Sequence, residues 1–200
     1  MGIRVEFMLG AKDGLESIII KAMPEFRDWY IKFYEEYPSH YDVEVINLAD
    51  RIVSEGSSVF NVDSVECATK IDKLIDAFVG AYCDHGDGRK LLRNTHQPVM
   101  KVSHYHDVFD CFQGKSTARS FWNFILKGRP LRRNAEAYPY LPADGVFRVS
   151  FASFDEVREI KREFENMNFF GDRDSIAFLS AKGAINEAYE ADTGLVVTVA

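Results

Sequence analysis

The sequence predicts an α+β fold, in which a small mixed or antiparallel sheet includes both terminal strands and about six helices cover it. Three observations predict this class. Residues 3–9 alternate weakly between apolar and polar, residues 145–151 alternate clearly, and residues 195–199 are β-branched and apolar, as is typical of strands. Between them, apolar residues recur at intervals of three and four, the period of an amphipathic helix. The chain has no repeat and no low-complexity linker, so we expect one domain over residues 1–200.

The first strand, IRVEFML, is followed by a turn, AKDG, and by a helical pattern. Pro24 either breaks this pattern or starts a new helix at its first turn. The next stretch places five aromatic residues at spacings of three and four: Phe26, Trp29, Tyr30, Phe33 and Tyr37. Such a stripe is compatible with a ligand site, but aromatic rings bury large areas wherever they can. We therefore expect this helix face to pack on the core.

Residues 42–48 predict a short strand, and residues 49–58 predict a brief helix or a loop. A longer helix follows. Asp63 is the expected N-cap, and Glu66 stands three residues later, as in a capping box. Apolar residues then recur at three- and four-residue intervals as far as Tyr82, which predicts one amphipathic helix.

Residues 98–113 fit two interpretations. As a helix, the segment opens at Pro98 and closes before Gly114. As a strand, it places His104 and His106 on one face. We favour the helix because both ends carry the expected signals.

Residues 118–127 predict a further helix before the clear strand at 145–151. Ser153 and Glu156 then have the spacing of a second capping box. The helix behind them carries an apolar stripe: Val157, Ile160, Phe164 and Met167. A last helix contains Gly183, which costs roughly 1 kcal/mol relative to Ala.

Composition excludes several classes of protein. The hydrophobic fraction of 46% supports a substantial core, and the apolar runs fall short of the ~20 residues that a membrane helix needs. We expect no signal peptide, because Glu6 interrupts the apolar stretch at the N-terminus. Three widely spaced cysteines predict reduced thiols in a cytoplasmic protein. The net charge of −7 disfavours nucleic-acid binding, which usually rests on a basic face.

Histidine and cysteine are concentrated in one part of the chain. A zinc site needs three or four nitrogen or sulfur ligands that converge, and the candidate ligands are Cys83, His85, His104 and His106. Neither CxxC nor HExxH occurs, so ordinary surface or core histidines explain these residues better and we expect no cofactor. The glycine loop at residues 86–89 matches no phosphate-binding motif and predicts a helix end.

The most distinctive charge feature is the window from Gln113 to Ala135, which we call the basic window. It carries six cations and no carboxylate, a charge of +6 in a chain whose remainder carries −13. Its candidate binding residues are Lys115, Arg119, Lys127, Arg129, Arg132 and Arg133, with Trp122 among them. The window fits either a solvated loop, with two cations at a helix C-terminus, or a surface for a partner.

Several short motifs resemble a known family. The opening of the YfbM-like family of small bacterial proteins is similar to MGIRVEFMLGAKDGLESII. Its Asp-Lys-aromatic helix is similar to KIDKLIDAFVGAY, with Leu74 where an aromatic residue is commoner, and its later strand and helix are similar to GVFRVSFASFDEVREIKREF. Residues 24–60 and 85–115 depart from the pattern. The resemblance implies an α+β domain with a mixed sheet and supplies no catalytic residues.

These observations favour a non-enzymatic, cytoplasmic protein-interaction module that neutralises or senses a partner protein. The acidic charge and the lack of catalytic motifs support this hypothesis, and no membrane association is expected. The first alternative is a metal- or small-ligand-binding protein, or a hydrolase, that uses the histidine, aspartate and cysteine residues. The second is phosphate or nucleic-acid binding through the basic window.

Overall fold

The computed structural model describes residues 3–38, 41–84, 86–105, 123, 125, 127–135, 137, 148–166 and 176–200. Contacts between Cα atoms group the chain into two compact units. Unit 1 comprises Met1–Leu15, Arg93–Arg129 and Asp144–Ala200, and unit 2 comprises Glu16–Leu92 and Pro130–Ala143. The single domain over residues 1–200 stays a prediction.

Unit 1 contains an antiparallel sheet. Its strands are β1 (Arg4–Leu9), β2 (Arg93–Asn94), β3 (Met100–Lys101), β4 (Arg148–Ala152) and β5 (Leu195–Val199). The order is β2-β1-β5-β4, and β3 also pairs with β1. The terminal strands β1 and β5 lie side by side at the centre, where Val5 faces Val199 and Leu9 faces Leu195. The predicted α+β class, with both terminal strands in one sheet, is confirmed.

Two helices pack on one face of this sheet, namely α4 (Phe154–Asn166) and α5 (Ile176–Glu190). The predicted capping box at the start of α4 is confirmed, because Ser153 N–H donates to Glu156 Oε2 at 2.8 Å and Glu156 N–H donates to Ser153 Oγ at 3.4 Å. The stripe of α4 joins a buried cluster with alternate residues of β1 and β5: Val157, Ile160, Phe164, Val5, Phe7, Leu9, Leu195, Val197 and Val199.

One prediction in unit 1 is wrong. The segment that begins at Pro98 was expected to be a helix, but Met100 and Lys101 form β3, and only residues 103–105 are helical before the described part of this segment ends. The strand forms because the free edge of β1 pairs with it, and Val102 N–H extends the pairing by donating to Ile3 O at 2.9 Å. A partner strand distant in sequence therefore outweighs the local helix signals.

Unit 2 is helical. Its main elements are α1 (Leu15–Glu36), α2 (Val43–Glu55), α3 (Val65–Ile75), a π-helix (Asp76–Cys83) and short 3₁₀ helices at Gly56–Phe60 and Asp87–Lys90. The break expected at Pro24 does not occur, since α1 runs through it without interruption. In the described residues, no helix combines the length and the apolar character that crossing a bilayer requires.

The strand predicted at residues 42–48 is also wrong, because this segment is the first half of α2. Asp42 is the N-cap, and its side chain accepts a hydrogen bond from Glu44 N–H at 2.9 Å. The buried residues then follow a helical period: Val45, Ile46, Leu48, Ala49 and Ile52. The short alternation that suggests a strand is part of a longer helical pattern.

The helix expected from Asp63 to Tyr82 exists but differs at both ends. Ser64, rather than Asp63, is the N-cap, and its hydroxyl accepts from Cys67 N–H at 3.2 Å. At Asp76 the α-helix changes to a π-helix, in which each backbone N–H bonds five residues back. This change rotates the residues that follow relative to a continuous α-helix.

The aromatic stripe of α1 is only half buried. Phe26 and Tyr30 lie in the core, and the Phe26 ring contacts Phe78 and Tyr82 at centroid distances of 5.4 and 5.5 Å. Phe33 and Tyr37, however, remain 38% and 52% exposed. The expectation that the whole stripe packs on the core is therefore corrected for its outer half.

Candidate functional site

Most of the described cations of the basic window form ion pairs with carboxylates. Lys115, Arg119 and Trp122 lie outside the described residues, and Lys127 is exposed. In unit 1, Arg129 Nη1 lies 2.8 Å from Glu156 Oε1 and donates to Phe151 O at 3.1 Å, while its guanidinium covers the Phe151 ring. The Arg129 side chain therefore connects residue 129 to β4 and to the first turn of α4.

In unit 2, Arg132 is buried. Its guanidinium forms a two-pronged ion pair with Asp72, with distances of 2.9 Å from Nη1 to Oδ1 and from Nη2 to Oδ2, and it also donates to Ala68 O at 2.8 Å. Arg133 is exposed and lies 3.4 Å from Glu16. Arg132 is a predicted binding residue, but it is 7% exposed, and its ion pair with Asp72 stabilises the packing of unit 2.

Within the described residues, the predicted metal ligands do not form a cluster. His85 and His106 lie outside the described residues, His104 is exposed in unit 1, and Cys83 is buried in unit 2. Burial raises the pKa of the Cys83 thiol to about 12, so it stays protonated at neutral pH. Over the part of the chain that the structure describes, no three His, Cys, Asp or Glu side chains are grouped as a metal would require.

A continuous row of aromatic rings lies on the surface of α1, and we call it the aromatic ladder: Trp29, Phe33 and Tyr37. The Trp29 and Phe33 rings are stacked with centroids 4.9 Å apart, and Phe33 and Tyr37 follow at 5.3 Å. The ladder exists because residues four apart face the same side of an α-helix. Exposed carboxylates flank it on the same helix, at Glu25, Asp28 and Glu36.

A cleft of about 550 Å³ lies at the Trp29 end of the ladder, and we call it the aromatic cleft. It is formed by α1 on one side and by the end of the π-helix with the following 3₁₀ turn on the other. Its lining consists of three carboxylates, two ammonium groups and two rings, contributed by Glu25, Asp28 and Asp87, by Lys32 and Lys90, and by Trp29 and Tyr82.

Two glycines let the rings approach the loop that closes the cleft. A Cβ atom at Gly86 would lie 2.7 Å from Trp29 Cε2, and one at Gly88 would lie 2.5 Å from Tyr82 Cδ1. Both distances are shorter than any ordinary van der Waals contact, so a larger residue would displace the rings. The glycine loop that the sequence predicts as a helix end thus also shapes the cleft.

Tyr82 is the most unusual residue of the cleft. Its side chain is fully buried, yet within the described residues its hydroxyl has no hydrogen-bond partner. Burial raises the pKa of Tyr82 to about 12, and the negative charges of Glu25 and Asp87 contribute to the rise. An unsatisfied buried hydroxyl costs about 1–3 kcal/mol of folding free energy.

No protein-family model, no curated protein and no solved structure matches this chain. The resemblance to the YfbM-like family therefore stays a prediction, and the function has to be argued from the geometry alone.

The chemistry of the ladder and the cleft suits the binding of cations. Aromatic faces and carboxylates together attract cations, since the rings present negative faces and the carboxylates supply charge. The exposed rings of Phe33 and Tyr37 add apolar area that a partner can cover.

Sequence reasoning missed this site for two reasons. The spacing of the stripe predicts that Trp29, Phe33 and Tyr37 all pack on the core. Tyr82 and Asp87 lie more than forty positions further along the chain, so no local spacing links them to α1. One signal was available, namely that acidic residues stand within one turn of Trp29, as Glu25 and Asp28 do.

Proposed function

We propose that this protein is a non-enzymatic interaction module whose aromatic ladder binds a basic segment of a partner protein. The observation that carries the proposal is the exposure of Phe33 and Tyr37 in a continuous row of ring contacts that begins at Trp29. Aromatic residues are enriched in the buried centres of protein interfaces, where a few of them supply most of the binding free energy.

The basic character of the partner follows from charge complementarity. Unit 2 contains sixteen acidic and ten basic residues, a net charge of −6, whereas unit 1 contains fifteen and fourteen, a net charge of −1. Nearly all of the acidic excess therefore belongs to the unit that carries the ladder. A positive partner is steered toward such a surface and negative partners are repelled.

The engaged cations of the basic window also support this proposal over the alternative of anion binding. Arg129, Arg132 and Arg133 each pair with a carboxylate of their own unit. A phosphate or nucleic acid would have to displace these carboxylates before it could bind the same guanidinium groups.

A peptide titration tests the proposal. The probe is a peptide of about twelve residues composed of lysine, leucine and glycine, and the signal is the fluorescence of Trp29 in a Trp122→Phe background, since the chain has two tryptophans. We expect the peptide to bind and the double change Phe33→Ala with Tyr37→Ala to raise the Kd by about tenfold or more, because the ladder loses the area that the peptide covers.

The matched control is Val53→Ala, which removes an equally exposed apolar side chain from α2 of the same unit. It should leave the Kd unchanged. A peptide with glutamate in place of lysine should not bind. Equal binding of the two peptides, or a Kd that is indifferent to the loss of Phe33 and Tyr37, contradicts the proposal.

A further inference from the structure

The exposed rings of the aromatic ladder continue a face of α1 that is buried further upstream. Phe33 and Tyr37 follow Phe26 by seven and eleven residues, about two and three turns of an α-helix, so all three side chains point to the same side. On this side the Phe26 ring is covered by Phe78 and Tyr82 of the π-helix, at centroid distances of 5.4 and 5.5 Å. Phe33 and Tyr37, by contrast, remain exposed. The last turns of α1 therefore extend a surface that already packs against a helix.

A helix is the partner conformation that fits this surface. The backbone N–H and C=O groups within a helix bond to one another, so α1 offers no strand edge with which an extended segment could pair. Rings four residues apart instead form a ridge, and the ridges of one helix pack into the grooves of another. Trp29 and Tyr37 are eight residues apart, so the ladder is about 12 Å long and a partner helix covers it with about two turns.

Carboxylates lie on both sides of the exposed rings. Glu36 follows Phe26 by ten residues and Tyr34 follows it by eight, so at about 100° per residue they lie about 80° to either side of the Phe26 direction. Asp76, the first residue of the π-helix, lies near Tyr34, because burial raises the pKa of the Tyr34 hydroxyl and the charge of Asp76 raises it further. The Tyr34 ring in turn contacts that of Phe33, with centroids 5.0 Å apart. The rings are therefore flanked by one acid of α1 and one of the π-helix.

Asp76 has no partner of its own in the part of the chain that the structure describes. There its side chain forms no hydrogen bond and no ion pair, although burial raises the pKa of its carboxyl. The residue is still accessible to solvent, so a cation can reach it. The ionised carboxylate loses hydration on folding without a compensating contact, and a cation bound beside it supplies that contact.

We propose that the segment bound by the aromatic ladder is an amphipathic α-helix of a partner protein, which lays its apolar stripe on Phe33 and Tyr37 and places a cation against Asp76. Lysine or arginine residues on both edges of the stripe then meet the acids on both sides of the rings. That the segment is basic rests on the proposed function, whereas its helical conformation and its contact with Asp76 are new claims.

The net charge of unit 2 favours a different protein over a second copy of this chain as the occupant. This unit carries −6, so two copies that met through their ladders would bring like charges together. A basic helix meets the same surface with the opposite charge.

A pair of peptides of about eighteen residues tests the conformation, since shorter isolated helices are marginal in water. Both contain the same numbers of lysine, leucine and alanine residues. In the first, leucine recurs at intervals of three and four with lysine on both edges of the stripe, and in the second the order is scrambled so that no helix face is apolar. Binding is followed by Trp29 fluorescence in the Trp122→Phe background.

We expect the patterned peptide to bind about tenfold more tightly than the scrambled one, because its bound conformation is partly formed in advance. Its circular dichroism should become more helical on binding. A proline at its centre should remove most of the advantage, because proline breaks the interior of a helix.

Asp76→Asn tests the contact with the cation. We expect it to raise the Kd of the patterned peptide about fivefold, because a charge-assisted hydrogen bond is lost. It should leave unchanged the Kd of a version with glutamine in place of lysine. The melting temperature should not fall, because the raised pKa means that the folded state disfavours the ionised carboxyl.

The matched control is Glu35→Gln. Glu35 follows Phe26 by nine residues, about two and a half turns, and so lies on the opposite side of α1 from the exposed rings. This change should not alter the Kd.

The outcomes separate the two proposals. If the patterned, scrambled and proline peptides bind equally well, the helical partner is overturned and the interaction module stands. If the patterned peptide binds best but Asp76→Asn and Glu35→Gln act alike, the contact with Asp76 is overturned. If none of the lysine peptides binds, the proposed function fails and the helical partner fails with it.

Discussion

Glu187 on α5 shows how single residues of unit 1 are held in place. Burial would raise the pKa of its carboxyl, but hydrogen bonds from the Gln97 side chain and from the backbone N–H and ring of His96 outweigh that effect, and the pKa lies below its ordinary value. The two His96 contacts to Glu187 Oε2 are each 3.0 Å long. The folded state thus favours the charged carboxylate.

This network predicts a dependence of stability on pH. Because the pKa of Glu187 is depressed in the folded state, its stabilisation is complete above the ordinary value of 4.5 and is lost as the pH falls through the folded value. Glu187→Gln should lower the free energy of unfolding by about 1 kcal/mol at pH 7, and the difference from wild type should shrink as the pH falls below the ordinary value of 4.5.

Urea unfolding at each pH measures the difference. The control is Glu190→Gln, which removes an exposed carboxylate from the same helix. A wild-type advantage that stays constant down to about pH 3 would show that Glu187 acts through packing and not through its charge.

At the scale of elements, the effect on stability of replacing Gly183, in the middle of α5, should differ from what helix propensity alone predicts. Replacing an internal glycine by alanine usually stabilises a helix by about 1 kcal/mol. Here a Cβ would collide with the side-chain amide of Gln97, which lies across α5 and donates to Glu187. Gly183→Ala should therefore gain helix propensity and lose that hydrogen bond, for a net change near zero.

A double-mutant cycle isolates the effect. In a Gln97→Ala background the collision is absent, so Gly183→Ala should raise the free energy of unfolding by about 1 kcal/mol, and the coupling between the two positions should be of similar size. Additive changes within experimental error would mean that Gln97 moves aside without cost.

Elements whose signals are local could be predicted from the sequence. The cap of α4 at Ser153 and its apolar stripe depend on residues within a few positions of each other. The cap is confirmed, and so is the stripe at Val157, Ile160 and Phe164, whereas Met167 lies outside the described residues. The errors arise where distant contacts decide. Met100 joins a strand because β1 lies beside it, and the apparent strand at Val43 becomes helical because Asp42 caps a pattern that continues to Ile52.

The candidate site was harder to predict than the fold for the same reason. Whether a ring at Phe26 or at Phe33 is buried depends on which helices cover α1, and periodicity is the same for both. The roles of Gly86 and Gly88 as space for Trp29 and Tyr82 appear only once the segments are folded together. Residues of the cleft such as Trp29 and Tyr82 are more than fifty positions apart, so no short sequence pattern predicts that they come together.

At the scale of the whole molecule, the unequal charge of the two units predicts how binding responds to salt. The acidic excess belongs to unit 2, and charges separated by more than about 10 Å are screened at 0.1 M salt. The Kd of the basic peptide should therefore rise several-fold when salt is raised from about 0.02 M to about 0.3 M, mainly through a slower association rate.

Charge reversals in each unit provide the comparison. Glu36→Lys, beside the ladder, should weaken peptide binding and reduce its dependence on salt. Glu190→Lys changes the net charge of the chain equally but lies in unit 1, and it should have little effect. If both reversals act alike, net charge and not the acidic surface of unit 2 controls the association.

The π-helix gives the cleft an unusual vulnerability. Its backbone hydrogen bonds reach back five residues instead of four, and Tyr82 is its penultimate residue. If the unchanged segment rewound as an α-helix, Tyr82 would turn about the axis by about 100°, the rotation of one α-helical residue. The cleft would then lose its Tyr82 wall although every side chain that lines it is still present. The cleft depends on the winding of the backbone at this point as much as on its composition.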